Sequence, residues 1–162
     1  KEVDAKLVAL LDNLIETCKD GQNGYRAAAE KAQSKEMKRF FRYNAGQRAR
    51  FAAELQEEVH RHGVMPPKGG TVAGALHRGW LNVKSALLGV EEPDLLAECE
   101  RGEEAVVKNY EAASHEVLPP GLQTLIANQY KAMKRTRDRV HARREAATVE
   151  PAGQGPTKVS SP

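Results

Sequence analysis

The chain repeats its own helical pattern, and this repeat limits the folds open to it. Residues 18–21 (Cys-Lys-Asp-Gly) return as residues 99–102 (Cys-Glu-Arg-Gly), 81 positions later. The pattern Tyr-x-x-Ala at 25–28 returns at 110–113, 85 positions later. An internal copy at this distance indicates one supersecondary unit used twice. We therefore predict two helical hairpins, one of them longer by about one turn of roughly 3.6 residues.

The spacing of apolar and small residues predicts where the helices lie. In the first part of the chain, the spacing between successive apolar or small residues alternates strictly between four and three positions. This pattern indicates one helix over roughly residues 3–33. Ser34 is a candidate N-cap for a second helix that ends at Gly63. A third main helix is predicted to begin near Pro93 and to bury a line of residues that closes with Val117. A last helix follows Gly121.

The connection between the second and third main helices is too long for a turn. A Pro- and Gly-rich loop at 66–70 is followed by a short amphipathic helix between Thr71 and Gly89. Because this segment can run back along the whole second helix, the second and third main helices are expected to be parallel. The predicted fold class is therefore all-α: a ferritin-like four-helix bundle of two antiparallel hairpins, joined by a long crossover containing a short fifth helix.

The composition limits the number of domains and the cellular setting. The 162 residues fit one domain, predicted over 1–147, and a Pro- and Gly-rich tail at 148–162 is predicted to be disordered. Only 5% of residues are aromatic, so small and aliphatic side chains must fill the core. No apolar run approaches the ~18 residues of a transmembrane helix. We expect a cytoplasmic protein with no transmembrane segment and with its two cysteines reduced and buried.

Four segments of the sequence carry a resemblance to a known family. They are residues 16–21 (Glu-Thr-Cys-Lys-Asp-Gly), 47–55 (Gln-Arg-Ala-Arg-Phe-Ala-Ala-Glu-Leu), 72–80 (Val-Ala-Gly-Ala-Leu-His-Arg-Gly-Trp) and 98–103 (Glu-Cys-Glu-Arg-Gly-Glu). Together they resemble a bacterial domain-of-unknown-function family of the ferritin-like superfamily, over roughly residues 5–145. The resemblance implies a four-helix bundle with a crossover helix in the bacterial cytoplasm. It implies no established activity.

A di-iron centre would need a specific set of ligands in such a bundle. Two helices each supply a Glu, and the other two each supply Glu-x-x-His, which places both ligands on one inward face. Where this second helix should carry that motif, it has Gln47 and Arg50. The last helix has Lys134 and Arg137. Because these cations would repel a metal ion, we expect no di-iron centre and no cofactor.

Two further patterns of a carboxylate followed by His do not restore the site. They lie at 57–60 and 138–141, and both are predicted to point outward and at opposite ends of the bundle. A partial, mononuclear metal site formed by Glu16, Glu98 and Glu103 stays open as an alternative, because Glu103 follows Cys99 by one turn. The simpler interpretation is that these three are surface carboxylates.

Five polar side chains fall on the predicted buried faces: Tyr25, Asn44, Arg48, Tyr110 and Gln129. The two tyrosines are related by the repeat, and so are the two amides. Mutual hydrogen bonds are the simplest expectation, because a buried polar group without a partner costs about 1–3 kcal/mol. The arginine is expected to lay its stem along apolar surface and to reach a carboxylate or solvent. A small polar pocket is the functional alternative.

One end of the bundle is predicted to be basic. Its residues come from the start of the second helix and the end of the last: Lys35, Arg39, Arg42, Arg135, Arg139 and Arg143. Acidic residues between 91 and 104 lie at the same end and are expected to neutralise much of this charge. The net charge of +3 is small, so sequence-specific binding to nucleic acid is not expected.

These observations favour a non-enzymatic ferritin-like bundle with a structural or protein-interaction role in a stress-related setting. Self-association or an unknown protein partner is expected, as is common for such bundles. Two alternatives remain open. One is a metal-binding oxidoreductase with a reduced ligand set around Glu16, Glu98 and Glu103. The other is an anion-docking module that uses the basic end.

Overall fold

The computed structural model describes residues 2–61 and 91–159, with side chains described for 5–61 and 91–147. These residues form four helices and no strand: α1 (Glu2–Lys31), α2 (Lys35–Arg61), α3 (Glu92–Ser114) and α4 (Pro120–Val159). The all-α prediction is confirmed. The predicted crossover with its short fifth helix lies outside the described residues. Position 148, the predicted start of a disordered tail, falls within α4, and disorder of the tail stays a prediction.

The turn between α1 and α2 is held by local and tertiary hydrogen bonds. The Ser34 hydroxyl oxygen accepts the backbone N–H of Met37 at 3.1 Å, so Ser34 caps α2. The backbone N–H groups of Gln33 and Ser34 both donate to the carboxylate of Glu92, at 2.8 and 3.0 Å. Because Glu92 opens α3, the first turn of that helix is fastened to the α1–α2 connection.

Within the first half of the chain, α1 and α2 form an antiparallel hairpin. The Lys38 ammonium donates to the carbonyl oxygen of Ala29 at 3.1 Å, near the turn. Farther from the turn, Gly21 lies against the side chain of Arg48. Positions that rise along α1 therefore meet positions that fall along α2.

Contacts between α1 and the second half of the chain establish the direction of α3. Cys18 lies opposite Tyr110, and Gln33 lies opposite Glu92, so α1 and α3 are antiparallel. Because α2 and α3 both run opposite to α1, they are parallel to each other. The helix α4 pairs antiparallel with α3, since Tyr110 contacts Gln129 early in α4 and Glu100 contacts His141 late in it.

The core between the helices is built largely from aliphatic and small side chains. Buried residues recur along the predicted lines of all four helices, including Leu11, Leu55, Val106 and Ile126. The expectation that Val117 continues the buried line of α3 is wrong, because 98% of this side chain is exposed. The helix ends at Ser114, so Val117 lies in the connection to α4, where helical spacing no longer applies.

Candidate functional site

A layer of buried polar side chains from all four helices crosses the core. It consists of Tyr25 on α1, Gln47 and Arg48 on α2, Glu103 on α3 and Thr136 on α4. We call it the ion-pair layer. Sequence reasoning placed Tyr25 and Arg48 in the interior but did not select Gln47 or Thr136 as buried polar residues. Helical spacing could have identified Thr136, because it lies one turn beyond the buried Met133.

Arg48 and Glu103 form a fully buried ion pair at the centre of this layer. The Arg48 Nη2 atom donates to both Glu103 oxygens, at 2.8 Å (Oε1) and 2.7 Å (Oε2), and both side chains are 0% exposed. The Tyr25 hydroxyl donates to Oε2 of the same carboxylate. Glu103 therefore accepts three charge-assisted or phenolic hydrogen bonds in an environment from which water is excluded.

The rest of the layer fixes the position of the guanidinium. Arg48 Nε donates to Gln47 Oε1 at 3.3 Å, and the Thr136 hydroxyl donates to the same oxygen at 3.2 Å. The guanidinium carbon also lies 5.6 Å from the ring centroid of Tyr25, within cation–π range. A side chain held on three sides in this way has little freedom to change its rotamer.

Gly21 on α1 provides the room that Arg48 needs. A Cβ atom at this position would lie 3.0 Å from Arg48 Nη1 and 3.3 Å from Arg48 Cγ. These distances are too short for comfortable van der Waals contact. The repeated motif at 18–21 thus has a packing reason: its glycine admits the arginine of the neighbouring helix.

The charge states in this layer follow from burial and from the neighbouring charges. Burial alone would lower the pKa of Arg48, but the negative charge of Glu103 outweighs it and raises that pKa above its usual value. Burial, followed by the charge of Glu103, raises the pKa of Tyr25 well above 10. The layer therefore holds a permanently charged guanidinium and a neutral phenol that acts as a donor.

A second polar layer lies nearer the other end of the bundle and also draws on all four helices. The Tyr110 hydroxyl donates to Gln129 Oε1 at 2.6 Å and lies 3.2 Å from the Sγ atom of Cys18. Gln129 Nε2 donates to the Phe51 carbonyl oxygen at 3.3 Å and to Glu54 Oε1 at 2.9 Å. We call this the tyrosine–glutamine layer. It shows that the second hairpin does pair its tyrosine with its amide.

The first hairpin does not make the corresponding pair. Tyr25 bonds to Glu103, and the Nδ2 atom of Asn44 has no hydrogen-bond partner among the described residues, although Asn44 is only 1% exposed. The repeat places Met133 where Arg48 stands in the first hairpin. The ion pair therefore breaks the internal symmetry. The Tyr25 hydroxyl bonds to Glu103, whereas the repeat would pair it with the amide of Asn44.

The three carboxylates that could have held a metal lie in different environments. Glu103 is wholly buried, so the surface interpretation of this residue is wrong; Arg48 supplies the counter-charge that makes burial possible. Glu98 pairs with Arg101 on its own helix, and Glu16 is half-buried on α1. Across residues 5–61 and 91–147, no three or more His, Cys, Asp or Glu side chains are grouped as a metal site.

The donor set around Glu103 does not fit a metal ion. Both of its oxygens already accept hydrogen bonds from Arg48, and one accepts a further bond from Tyr25. A cation entering beside a buried guanidinium would meet strong repulsion in this low-dielectric environment. The geometry therefore disfavours the partial metal site considered from the sequence.

Neither cysteine has the surroundings of a reactive thiolate. Cys18 and Cys99 are both free and buried. Burial raises the pKa of Cys18 to about 11, although its contact with Tyr110 opposes the shift. Burial and then the charge of Glu103 raise the pKa of Cys99 well above 9. Both thiols are therefore protonated packing groups at neutral pH.

The predicted basic end is neutralised only in part. Glu100 of α3 binds His141 at 2.6 Å and also pairs with Arg144, so acidic residues of α3 meet the late part of α4 as expected. Arg143 pairs with Glu36 at 3.4 Å. The remaining predicted cations have no acidic partner within 4 Å in the described part of the chain: Lys35, Arg39, Arg42, Arg135 and Arg139.

Fold and site together define a class of protein: an all-α bundle in which a buried ion pair joins the two helical hairpins. The chain belongs to the family described as Domain of unknown function (DUF2383), which it matches over residues 6–116. The match covers all of α2 and α3 and most of α1, so the partners Arg48, Glu103 and Tyr25 lie within it, and α4 lies beyond it. Among curated proteins, none matches this chain. Among the helices of the described residues, none has the length together with the apolar character that a membrane-spanning segment needs.

Proposed function

We propose that this chain is a non-enzymatic bundle of ferritin-like arrangement that serves as a structural or protein-interaction module. The observation that carries the proposal is the buried ion pair between Arg48 and Glu103. In di-metal bundles, inward-facing Glu and His side chains on facing helices hold the metal ions in the core. Here the facing positions hold a guanidinium, a carboxylate, a phenol and an amide that bond to one another.

This arrangement would resist conversion into a metal site. A metal that bound Glu103 would have to displace Arg48, which would leave a buried cation without a partner. Breaking a buried pair in this way costs about 3–5 kcal/mol in other proteins. The hydrogen bond from Tyr25 would be lost as well. These costs support a structural role for the layer over a catalytic one.

The titratable groups of the interior also favour a non-enzymatic role. A nucleophile or general base needs access to a substrate and a pKa near the working pH. Arg48 and Glu103 are 0% exposed, and burial raises the pKa of both Cys18 and Cys99. None of these groups combines access with activation.

The ferritin-like arrangement itself is part of the proposal. It is supported by the helix directions, with α2 parallel to α3, and by the long connection between Arg61 and Glu92. A location in the bacterial cytoplasm rests on the sequence resemblance, and self-association rests on what is common for such bundles. A stress-related setting completes the proposal.

Metal analysis tests this proposal against the oxidoreductase alternative. The protein would be purified without chelator or affinity-tag metal, loaded aerobically with ferrous iron, passed through gel filtration and analysed for its elements. We expect less than stoichiometric iron or manganese to be retained. Stoichiometric metal that is lost in Glu103→Gln but kept in the matched variant Glu104→Gln would overturn the proposal, because Glu104 is an exposed carboxylate next to Glu103.

A further inference from the structure

A groove of about 420 Å³ separates α2 from α4 at the end of the bundle that carries the basic residues. It is bordered on α2 by Phe40, Tyr43 and Asn44 and on α4 by Arg139, Ala142 and Arg143. None of these residues belongs to the ion-pair layer or to the tyrosine–glutamine layer. We call this feature the α2–α4 groove.

We infer that the α2–α4 groove binds an acidic segment of a partner protein, with a carboxylate of that segment between Asn44 and Arg139 and an apolar side chain against Tyr43. This inference rests on the proposed interaction role and names the chemistry of the partner.

The side chains in and around the groove carry more positive than negative charge. Arg139 is exposed and has no acidic partner within 4 Å in the described residues, and Arg143 has only Glu36 at 3.4 Å. Arg39 and Arg42 on α2 also lack acidic partners among the residues that the structure describes. A carboxylate that entered beside Arg139 would therefore meet an uncompensated positive field.

Asn44 supplies the second observation. It is 1% exposed, it lines the groove, and its amide nitrogen has no hydrogen-bond partner in the part of the chain that the structure describes. Buried amide groups are almost always satisfied, because an unpaired one is destabilising. A ligand carboxylate is a natural acceptor for this donor, and it would be recognised by Asn44 and Arg139 together.

The groove also offers an apolar contact. Tyr43 is 59% exposed, whereas the other aromatic side chains that the structure describes are buried or half-buried. Exposed aromatic rings beside an arginine are typical of surfaces that bind protein partners. An apolar side chain next to the carboxylate of the partner could cover this ring, with Ala142 on the opposite wall.

A peptide fits the groove better than a nucleic acid. The Phe40 ring already carries the guanidinium of Arg143, whose carbon lies 4.2 Å from the ring centroid, so it is not a free platform for stacking a base. Glu36 and the acidic start of α3, with Glu92 beside the α1–α2 turn, would repel an extended polyphosphate at this end. A short acidic peptide, whose carboxylates are interrupted by apolar side chains, carries fewer charges than an extended polyphosphate and meets less of that repulsion.

Fluorescence anisotropy with defined probes tests the inference on the full chain. The probe is a short fluorescein-labelled peptide of Glu-Glu-Leu repeats, and its control has Gln in place of Glu. We expect saturable binding of the Glu peptide, weakened by salt, and no binding of the Gln peptide. Arg139→Gln should raise the dissociation constant about tenfold. The matched variant Arg26→Gln, which removes an exposed arginine of α1 outside the groove, should leave it unchanged.

A second variant separates recognition from stability. Asn44→Leu removes the unpaired amide, so its thermal midpoint should hold or rise while peptide affinity falls about fivefold. Two results would overturn the inference. One is that the wild-type protein does not bind the Glu peptide, and the other is that Arg139→Gln and Asn44→Leu both bind it as tightly as the wild type does. Equal or tighter binding of an oligothymidylate to the same groove would also overturn it and indicate a nucleic-acid partner. Metal retention at Glu103 would refute the proposed function without changing these peptide results.

Discussion

The guanidinium of Arg48 and the carboxylate of Glu103 meet inside the bundle, with Nη2 2.8 and 2.7 Å from the two carboxylate oxygens. One residue lies on α2 of the first hairpin and the other on α3 of the second. The pair therefore ties the two halves of the internal repeat together at one level of the core. A buried charge tolerates few alternative packings, because any slip between the hairpins would leave it unpaired.

Removal of one partner should be strongly destabilising. We expect Arg48→Met to lower the free energy of unfolding by about 3–5 kcal/mol, because Glu103 would be left buried with only the Tyr25 hydroxyl to stabilise it. Urea denaturation followed by circular dichroism measures this change. Glu104→Gln is the matched control, since this exposed carboxylate lies 3.9 Å from Arg137. The substitution should change the free energy of unfolding by less than about 1 kcal/mol.

Replacement of both partners should recover much of that loss. The double variant Arg48→Met with Glu103→Leu fills similar volume with apolar groups and leaves no unpaired charge, which in other proteins is often neutral. We expect the double-mutant cycle to give a coupling energy of about 2–3 kcal/mol. A double variant no more stable than either single variant would contradict the coupling.

Gly21 should respond to alanine in the opposite way to Gly46. Alanine normally stabilises a helix by about 0.5–1 kcal/mol relative to glycine. At Gly46 the nearest atom to a new Cβ is Arg50 Nη1 at 3.9 Å, so we expect that gain. At Gly21 the Cβ would press on Arg48, which Glu103 and Gln47 hold in place, so Gly21→Ala should be destabilising. Thermal midpoints of the two variants measure the difference in sign.

The two thiols should report on opening of the core. Because burial raises the pKa of Cys18 to about 11 and that of Cys99 well above 9, neither carries much thiolate at pH 8. We expect Ellman's reagent to react with the native protein only as fast as the core opens, and to titrate both thiols at once in denaturant. Rapid reaction of one thiol in the native state would contradict the buried packing of Cys18 and Cys99.

Acid should weaken the contact between α3 and α4. Burial by itself would raise the pKa of Glu100, but hydrogen bonds from Arg144 and His141 outweigh it and lower the pKa from 4.5. Because this pKa is lowered in the folded state, ionised Glu100 stabilises the fold above about pH 4.5. That contribution is lost as the pH falls through the pKa of Glu100 in the folded protein. Glu100→Gln should therefore cost more stability at pH 7 than at pH 3. Glu111→Gln, at an exposed position of the same helix, is the matched control.

The amino-acid sequence was sufficient to predict the four helices that the structure describes and most of the residues that they bury. Apolar spacing alone determines which face of a helix turns inward, so it placed Tyr25, Arg48, Tyr110 and Gln129 in the interior without knowledge of their partners. It failed at Val117, since a helix end depends on the connection that follows.

Only the tertiary structure decided which polar groups meet. Glu103 looks like a surface residue in sequence, because an isolated carboxylate is costly to bury, and its counter-charge Arg48 lies 55 positions away. The Tyr25 hydroxyl also donates to this carboxylate, and the amide nitrogen of Asn44, beside the α2–α4 groove, has no partner among the residues described. Periodicity is a local property of each helix, whereas the pairing of buried charges depends on how the helices are brought together.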